Sequence, residues 1–93
     1  MDRTRRQAIE ARLREGEATP EALARELGVR LVEVIDDLEH VRCSLRPPER
    51  MRVEPAECEA CGFVFRDRAR IGTPSRCPKC RSEWIAPPRY RIE

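Results

Sequence analysis

The sequence is short of most things that mark an enzyme or a membrane protein. Its 93 residues hold one histidine, one lysine, one tryptophan, one tyrosine and two phenylalanines. No apolar run approaches the roughly 18 residues that a membrane span requires. None follows the basic start "MDRTRRQAIE" either, so a secretory signal is not expected. There is no Gly-rich loop to cradle phosphate, no internal repeat and no low-complexity segment. The lone His40 falls on the polar face of a helical stretch with no serine or cysteine implied beside it. A solvated surface histidine is the expectation, and an enzyme is not. The chain reads as a soluble cytoplasmic protein.

What is present is 40% hydrophobic and 39% charged residues, the balance of a globular protein with a modest core and a heavily solvated exterior. Domains near 60 residues bury only about 60% of their unfolded surface. A second source of stability is therefore expected, and the cysteines supply a candidate. In a reducing compartment, regularly spaced cysteines favour metal over disulfides, and a fifth thiol would be awkward in an oxidising one. Cys58 and Cys61 form one C-x2-C and Cys77 and Cys80 another, with fifteen residues (62–76) between them. That spacing lies inside the pattern of a four-cysteine zinc site. Gly62 supplies an easy positive φ after the first pair, and Pro78 stiffens the second. Two such knuckles close a tetrahedron around one structural Zn2+, with no position left open for water or substrate. In zinc-finger peptides such binding is worth about 10–16 kcal/mol, enough to hold a segment with almost no core.

Around the knuckles the residues favour short strands: Phe63-Val64-Phe65 after the first, Glu83-Trp84-Ile85 after the second. These suggest a zinc ribbon in which Trp84 and the two phenylalanines cover the metal rather than stack on bases. In the terminal "RYRIE", Tyr90 and Ile92 alternate with Arg89 and Arg91, as in an edge strand with one inward face.

The first half is helical. From Asp2 to Arg14, residues Arg5, Ile9 and Leu13 recur at helical spacing with Ala8 beside them, until Gly16. Thr19, Pro20 and Glu21 suit the N-cap, first position and first turn of a second helix, "PEALAREL", with Leu23 and Leu27 inward. After Gly28 a third, longer helix carries Leu31, Val34, Ile35, Leu38, Val41 and Leu45 at intervals of three and four. Two helices joined by a short Gly turn have the form of a helix-turn-helix. "SLRPPERMRVEP" then reads as a two-stranded wing turning at Pro47-Pro48-Glu49, with Met51 and Val53 toward the helices and Arg50 and Arg52 outward. Cys43 is expected to be buried or half-buried, not a fifth ligand.

A helix-turn-helix, a short wing and a terminal "CEACGFVF…PSRCPKCRSEWI" resemble the small archaeal and bacterial predicted transcriptional regulators in which a winged helix is fused to a zinc ribbon. The resemblance spans nearly the whole chain, and the knuckles with Phe63, Phe65, Pro74 and Ser75 are its most specific part. It implies an α+β fold, a winged helix-turn-helix over residues 1–56 and a rubredoxin-like four-cysteine ribbon over 57–93. It also implies metal ligands at Cys58, Cys61, Cys77 and Cys80, a recognition helix near Arg30 to Arg42, and transcriptional regulation through DNA.

Charge works against the last expectation. Residues 1–42 carry eight arginines against ten acids, and residues 57–93 carry the basic surplus of +3. With four thiolates and Zn2+ the formal charge of +2 falls to 0. Glu33, Asp36, Asp37 and His40 are expected on the outer face of the third helix, where carboxylates would repel phosphate. A DNA footprint therefore rests on localised arginines: Arg30 at the helix entry and Arg46, Arg50 and Arg52 on the wing, with Arg3, Arg5, Arg6, Arg66, Arg68 and Arg70 as further contributors. Arg76, Lys79 and Arg81 at the second knuckle either offset the charge of the site or touch nucleic acid.

Three functions follow as expectations. The first is a DNA-binding transcriptional regulator, with the first helix available to form a homodimer. The second is an adaptor to a protein of the transcription machinery, docking through the acidic third helix. The third is an iron-loaded electron carrier, because "CEACG" and "CPKC" are similar to rubredoxin knuckles, although Arg81 stands where those usually have glycine.

Overall fold

A computed structural model describes residues 3–93. Three helices come first: α1 (Arg3–Glu15), α2 (Pro20–Leu27) and α3 (Leu31–Ser44). Asp2, the expected start of α1, lies outside the described residues, as does the side chain of Arg3. The capping expected for α2 is present. Thr19 Oγ1 accepts from the Ala22 N–H at 3.0 Å, Pro20 opens the helix, and Gly28 ends it in the left-handed region at φ 68°. Four short strands follow: β1 (Met51–Glu54), β2 (Glu57–Cys58), β3 (Ile85–Ala86) and β4 (Arg89–Ile92). Among the described residues no helix is long and apolar enough to cross a membrane.

The strand pairing differs from the expected wing. β1 does not turn back on residues 44–48, which form no strand; it pairs antiparallel with β4, with Met51 opposite Ile92 and Val53 opposite Tyr90. The reason is chemical. Pro47 and Pro48 offer no N–H to a ladder, whereas Tyr90 and Ile92 give β1 apolar cross-strand neighbours. On its other side Tyr90 exchanges both backbone hydrogen bonds with Ala18, at 2.9 and 3.0 Å. The order is therefore Ala18, β4, β1, and the strand read as an edge is central. Its alternation is as expected, with Tyr90 and Ile92 buried and Arg89 and Arg91 exposed.

β2 pairs with β3 in the same antiparallel sense, Glu57 with Ala86 and Cys58 with Ile85. Residues 55–88 are thus one long excursion between two neighbouring strands. Pro55, Pro87 and Pro88 interrupt the ladder between the inner and outer sheets, because they remove donors where the two would join.

The core is formed by Ile9 and Leu13 of α1, Leu23 of α2, Val34, Leu38 and Val41 of α3, and Ala18, Tyr90 and Ile92 of the sheet. Each such aliphatic side chain contributes about 1.5–3 kcal/mol through burial. One further member, Ile71, comes from the loop between the knuckles. That loop is tied down by polar bonds as well. The Gly72 N–H donates to the Tyr90 hydroxyl at 3.1 Å, Thr73 Oγ1 donates to Glu21 at 2.7 Å, and Arg42 donates to the Ala69 carbonyl at 3.0 Å. The ribbon is accordingly built into the helical core.

Several inward assignments need correction. Ala8 is exposed, and Leu31 is at the surface beside Val32. Val53 shares a face with Tyr90 but sits on the outer strand, where the helices no longer cover it. Cys43 is exposed, because it lies two residues and about 200° around the helix from Val41, which is buried.

Candidate metal centre and nucleic-acid interface

The two knuckles are near copies of each other. In the first, the Gly62 N–H donates to the Cys58 carbonyl at 2.8 Å and the Cys58 N–H donates to the Phe63 carbonyl at 2.8 Å. In the second, the Arg81 N–H donates to the Cys77 carbonyl at 2.9 Å and the Cys77 N–H to the Ser82 carbonyl at 2.8 Å. Each turn closes through a left-handed residue, Gly62 at φ 81° and Arg81 at φ 68°. The departure from glycine noted in the sequence is therefore a backbone cost, of about 1–2 kcal/mol for a residue with a Cβ. Arg81→Gly is expected to raise stability by about 0.5–1 kcal/mol, part of the relief being offset by a more flexible unfolded chain. Gly62→Ala should lower it by at least about 1 kcal/mol. Urea midpoints of the zinc-loaded variants measure both, and an unchanged or lower midpoint for Arg81→Gly would contradict the assignment of strain.

The four Sγ atoms lie within 4.8 Å of one another, with Cys58 to Cys80 at 3.5 Å and Cys61 to Cys77 at 3.6 Å. A tetrahedral zinc with bonds of about 2.3 Å separates its sulfurs by roughly 3.8 Å, so the four cysteines fit a structural zinc ion. Among the described residues they are the one group of histidine, cysteine or acidic side chains arranged for a metal. Without the ion, three of the thiols are displaced from their ordinary values. Burial pushes the Cys58 thiol up, but the N–H groups of Cys61 and Ala60 outweigh it and hold Cys58 below the ordinary value. Burial is outweighed likewise at Cys77, which the N–H groups of Cys80 and Lys79 bring down to about 6. At Cys61 the Phe63 N–H favours the thiolate, yet burial and the three neighbouring sulfurs push it up to about 12. A dication is what allows all four to ionise together, and its binding releases protons.

Trp84 does not cover the metal. Its backbone carbonyl accepts from the Glu59 N–H at 2.8 Å, while the side chain is 74% exposed. Phe63 and Phe65 are half-buried and meet edge to face at 5.0 Å. Cys58 and Cys77 are nevertheless fully buried, and the Lys79 and Cys80 N–H groups close over the Cys77 sulfur.

The charged face of α3 is also different from the expected one. Asp37 has no exposed surface. Its carboxylate is bonded by Arg5 Nε and, at 3.2 Å, by Arg6 Nε, so α1 neutralises it where the helices cross. Glu33 is taken up by Arg5 at 3.0 Å and Arg30 at 3.1 Å. Asp36 remains outward, near His40 at 3.7 Å and Arg6 at 4.0 Å. Arg5 and Arg6 are thereby spent inside the protein rather than available to a ligand. Arg6 Nη2 is buried without a hydrogen-bond acceptor.

Of the four arginines singled out for DNA, Arg50 and Arg52 come together on the outer face of the sheet, both bonded to Glu93. Arg30 and Arg46 are exposed at opposite ends of α3, separated along it by about 21 Å. Arg91, which the sequence reading had only as an outward strand residue, joins the first pair, and its cross-strand register with Arg52 is the signal that could have found it. In the ribbon, Arg68 bonds the Gly72 carbonyl and Arg66 and Arg70 are exposed. Arg76 pairs with Glu83 at 3.4 Å.

Three helices, small antiparallel sheets and a four-cysteine centre define an α+β zinc-ribbon protein. Two family models match it in tandem: "PF0610-like, N-terminal" over residues 4–53, and "PF0610 rubredoxin-like zinc beta-ribbon domain" over residues 55–93. The chain belongs to this PF0610-like family. It is also similar to the solution NMR structure of protein PF0610 from Pyrococcus furiosus, at 40% identity and a TM-score of 0.80, covering 100% of this chain and 91% of that one. No curated protein sequence matches.

Proposed function

We propose that the chain is a DNA-binding transcriptional regulator, a winged helix-turn-helix whose wing carries the zinc ribbon. The observation that supports it best is topological. Helix, strand residue Ala18, two helices, β1 and β4 follow in chain order, and the sheet order Ala18, β4, β1 packs against the three helices as in winged helix-turn-helix domains. In this reading α3 enters the major groove and β1 and β4 are the wing strands.

The Arg5, Arg6 and Asp37 network takes one carboxylate off the outer face of α3. Of the carboxylates on α3, Asp36 is the most exposed, Glu33 and Glu39 are half-buried, and Arg5 and Arg30 bond Glu33 as Arg42 bonds Glu39. Asp36 or Glu39 can accept from cytosine N4. Phosphate contacts then fall to Arg30, Arg46, Arg50 and Arg52. The role is non-enzymatic and cytoplasmic.

Arg50→Ala or Arg52→Ala is expected to weaken duplex binding several-fold and to reduce the log-log salt slope by about one. Fluorescence anisotropy on a labelled duplex measures this, and indifference to both substitutions would count against the reading. A protein partner is the second reading, and what favours it is the exposure of Trp84. Of the acidic docking face on α3, Asp37 is buried, while Asp36 is exposed and Glu33 half-buried. Loss of a partner on Trp84→Ala, with DNA binding absent, would select that reading.

A further inference from the structure

We propose that Arg50, Arg52 and Arg91 form a phosphodiester-binding site on the outer face of the β1 and β4 strands, and that the Glu93 carboxylate is its built-in competitor. The inference rests on the DNA-binding reading and adds a control to it. Arg91 donates to Glu93 Oε1 at 3.1 Å, and Arg52 and Arg50 donate to Oε2 at 3.2 and 3.3 Å. Three guanidiniums converge on one carboxylate.

The register explains why. Arg52 stands directly opposite Arg91, and like charges facing each other across an antiparallel pair repel. An anion shared between them relieves that repulsion. Glu93 is delivered there by the backbone, which exchanges two 3.0 Å hydrogen bonds with Arg50. Arg52 and Arg91 also line a recess of about 40 Å³ with Arg89, Glu17 and Glu54.

One carboxylate does not satisfy this cluster. Each guanidinium carries five N–H donors, and with Arg89 held by Glu17 at 3.0 Å and Glu54 counted in, the face keeps one positive charge in excess together with most of its donors. A carboxylate presents two oxygens to the forks of arginine much as the non-bridging oxygens of a phosphodiester do. The phosphodiester of a nucleic-acid backbone takes over the same donors, and rotation of the Glu93 side chain suffices to release them. The three arginines remain 51–72% exposed at their side chains, so the approach is open. The Arg52 guanidinium, with Arg50 and Arg91, holds Glu93 below the usual carboxylate range, and the competitor is therefore ionised at neutral pH.

The test compares zinc-loaded wild type, Glu93→Gln and Arg91→Ala, on a short labelled duplex and on inorganic pyrophosphate followed by the arginine Nε–H signals in NMR. Glu93→Gln is expected to bind the duplex about 3- to 10-fold more tightly, with a salt slope steeper by about one, and Arg91→Ala to bind it more weakly. Pyrophosphate should shift the Arg52 and Arg91 signals at lower concentration in Glu93→Gln than in wild type. If Arg50→Ala and Arg52→Ala weaken duplex binding while Glu93→Gln equals wild type, the competitor is overturned and the DNA reading stands. If no form binds duplex, the DNA reading falls and pyrophosphate decides. Saturable shifts favouring Glu93→Gln keep the site as one for free phosphate, and no shift in either protein overturns it.

Discussion

Chelating the zinc is expected to unfold the ribbon outright and to loosen the helical body with it. The first effect follows from composition: residues 57–86 contribute the buried Cys58, Ile71 and Cys77 but no aliphatic cluster of their own. The second effect follows from the excursion between β1 and β4. Ile71 leaves the core when its loop comes free, and Tyr90 loses the Gly72 N–H. Emptying an isoleucine site costs about 2–5 kcal/mol. At roughly 4–8 °C per kcal/mol for a chain of this size, the melting temperature of the helical body should fall by roughly 8–40 °C. Calorimetry with and without chelator measures the fall. Hydrogen exchange localises it: amides of Tyr90 and of the C-terminal half of α3 lose protection together with those of Gly62 and Arg81. Protection of the helical body unchanged by chelation would contradict the coupling.

Asp37→Ala is the single substitution expected to cost most among the charged residues. It leaves Arg5 with Glu33 and Arg6 with Asp36 at 4.0 Å, and breaking a buried pair from one side costs up to about 3–5 kcal/mol. The double variant Arg5→Met with Asp37→Leu should recover much of that loss, because the apolar pair leaves no uncompensated charge. The pH dependence has a definite sign. Burial raises the Asp37 pKa, but the hydrogen bonds from Arg5 and Arg6 and their charges win and hold it below the ordinary aspartate value. A depressed carboxylate stabilises the fold fully above the unfolded value near 3.9, and the contribution disappears as pH falls through the folded value. The gap between wild type and Asp37→Ala in urea unfolding is therefore constant from pH 5 to 8 and narrows below about pH 4. A gap under about 1 kcal/mol at neutral pH would mean that water, not protein, solvates the network.

The parts of this molecule legible in the sequence are those set by neighbours along the chain. The C-x2-C knuckles are local turns, and both form where the spacing places them. The cap at Thr19, the left-handed Gly28 and the apolar lines of Ile9 and Leu13 or Val34, Leu38 and Val41 depend on spacings of three and four. What escaped was set across distance. Nothing near Met51 indicates that its partner is Ile92, because that pairing is decided by which distant strand offers apolar side chains and free N–H groups.

Asp37 is the instructive case. It lies three residues after Val34 and four before Val41, on the inward line of α3, and Arg5 lies on the inward line of α1 with Ile9 and Leu13. Two opposite charges on facing apolar stripes are a readable pairing, which reading each helix alone obscures. Trp84 escaped for another reason: aromatic residues in a coreless segment suggest packing, but the ribbon is closed by backbone and sulfur and needs no indole cover.

The measurement that tests the account most directly is binding of the zinc-loaded protein to labelled fragments of its own genome across a salt series. Regulation through α3 and the wing predicts saturable binding, preference for particular fragments, and a log-log salt slope equivalent to several phosphates. Absence of binding at low salt, where electrostatic attraction is strongest, would contradict it and turn the search toward a protein partner for the exposed Trp84.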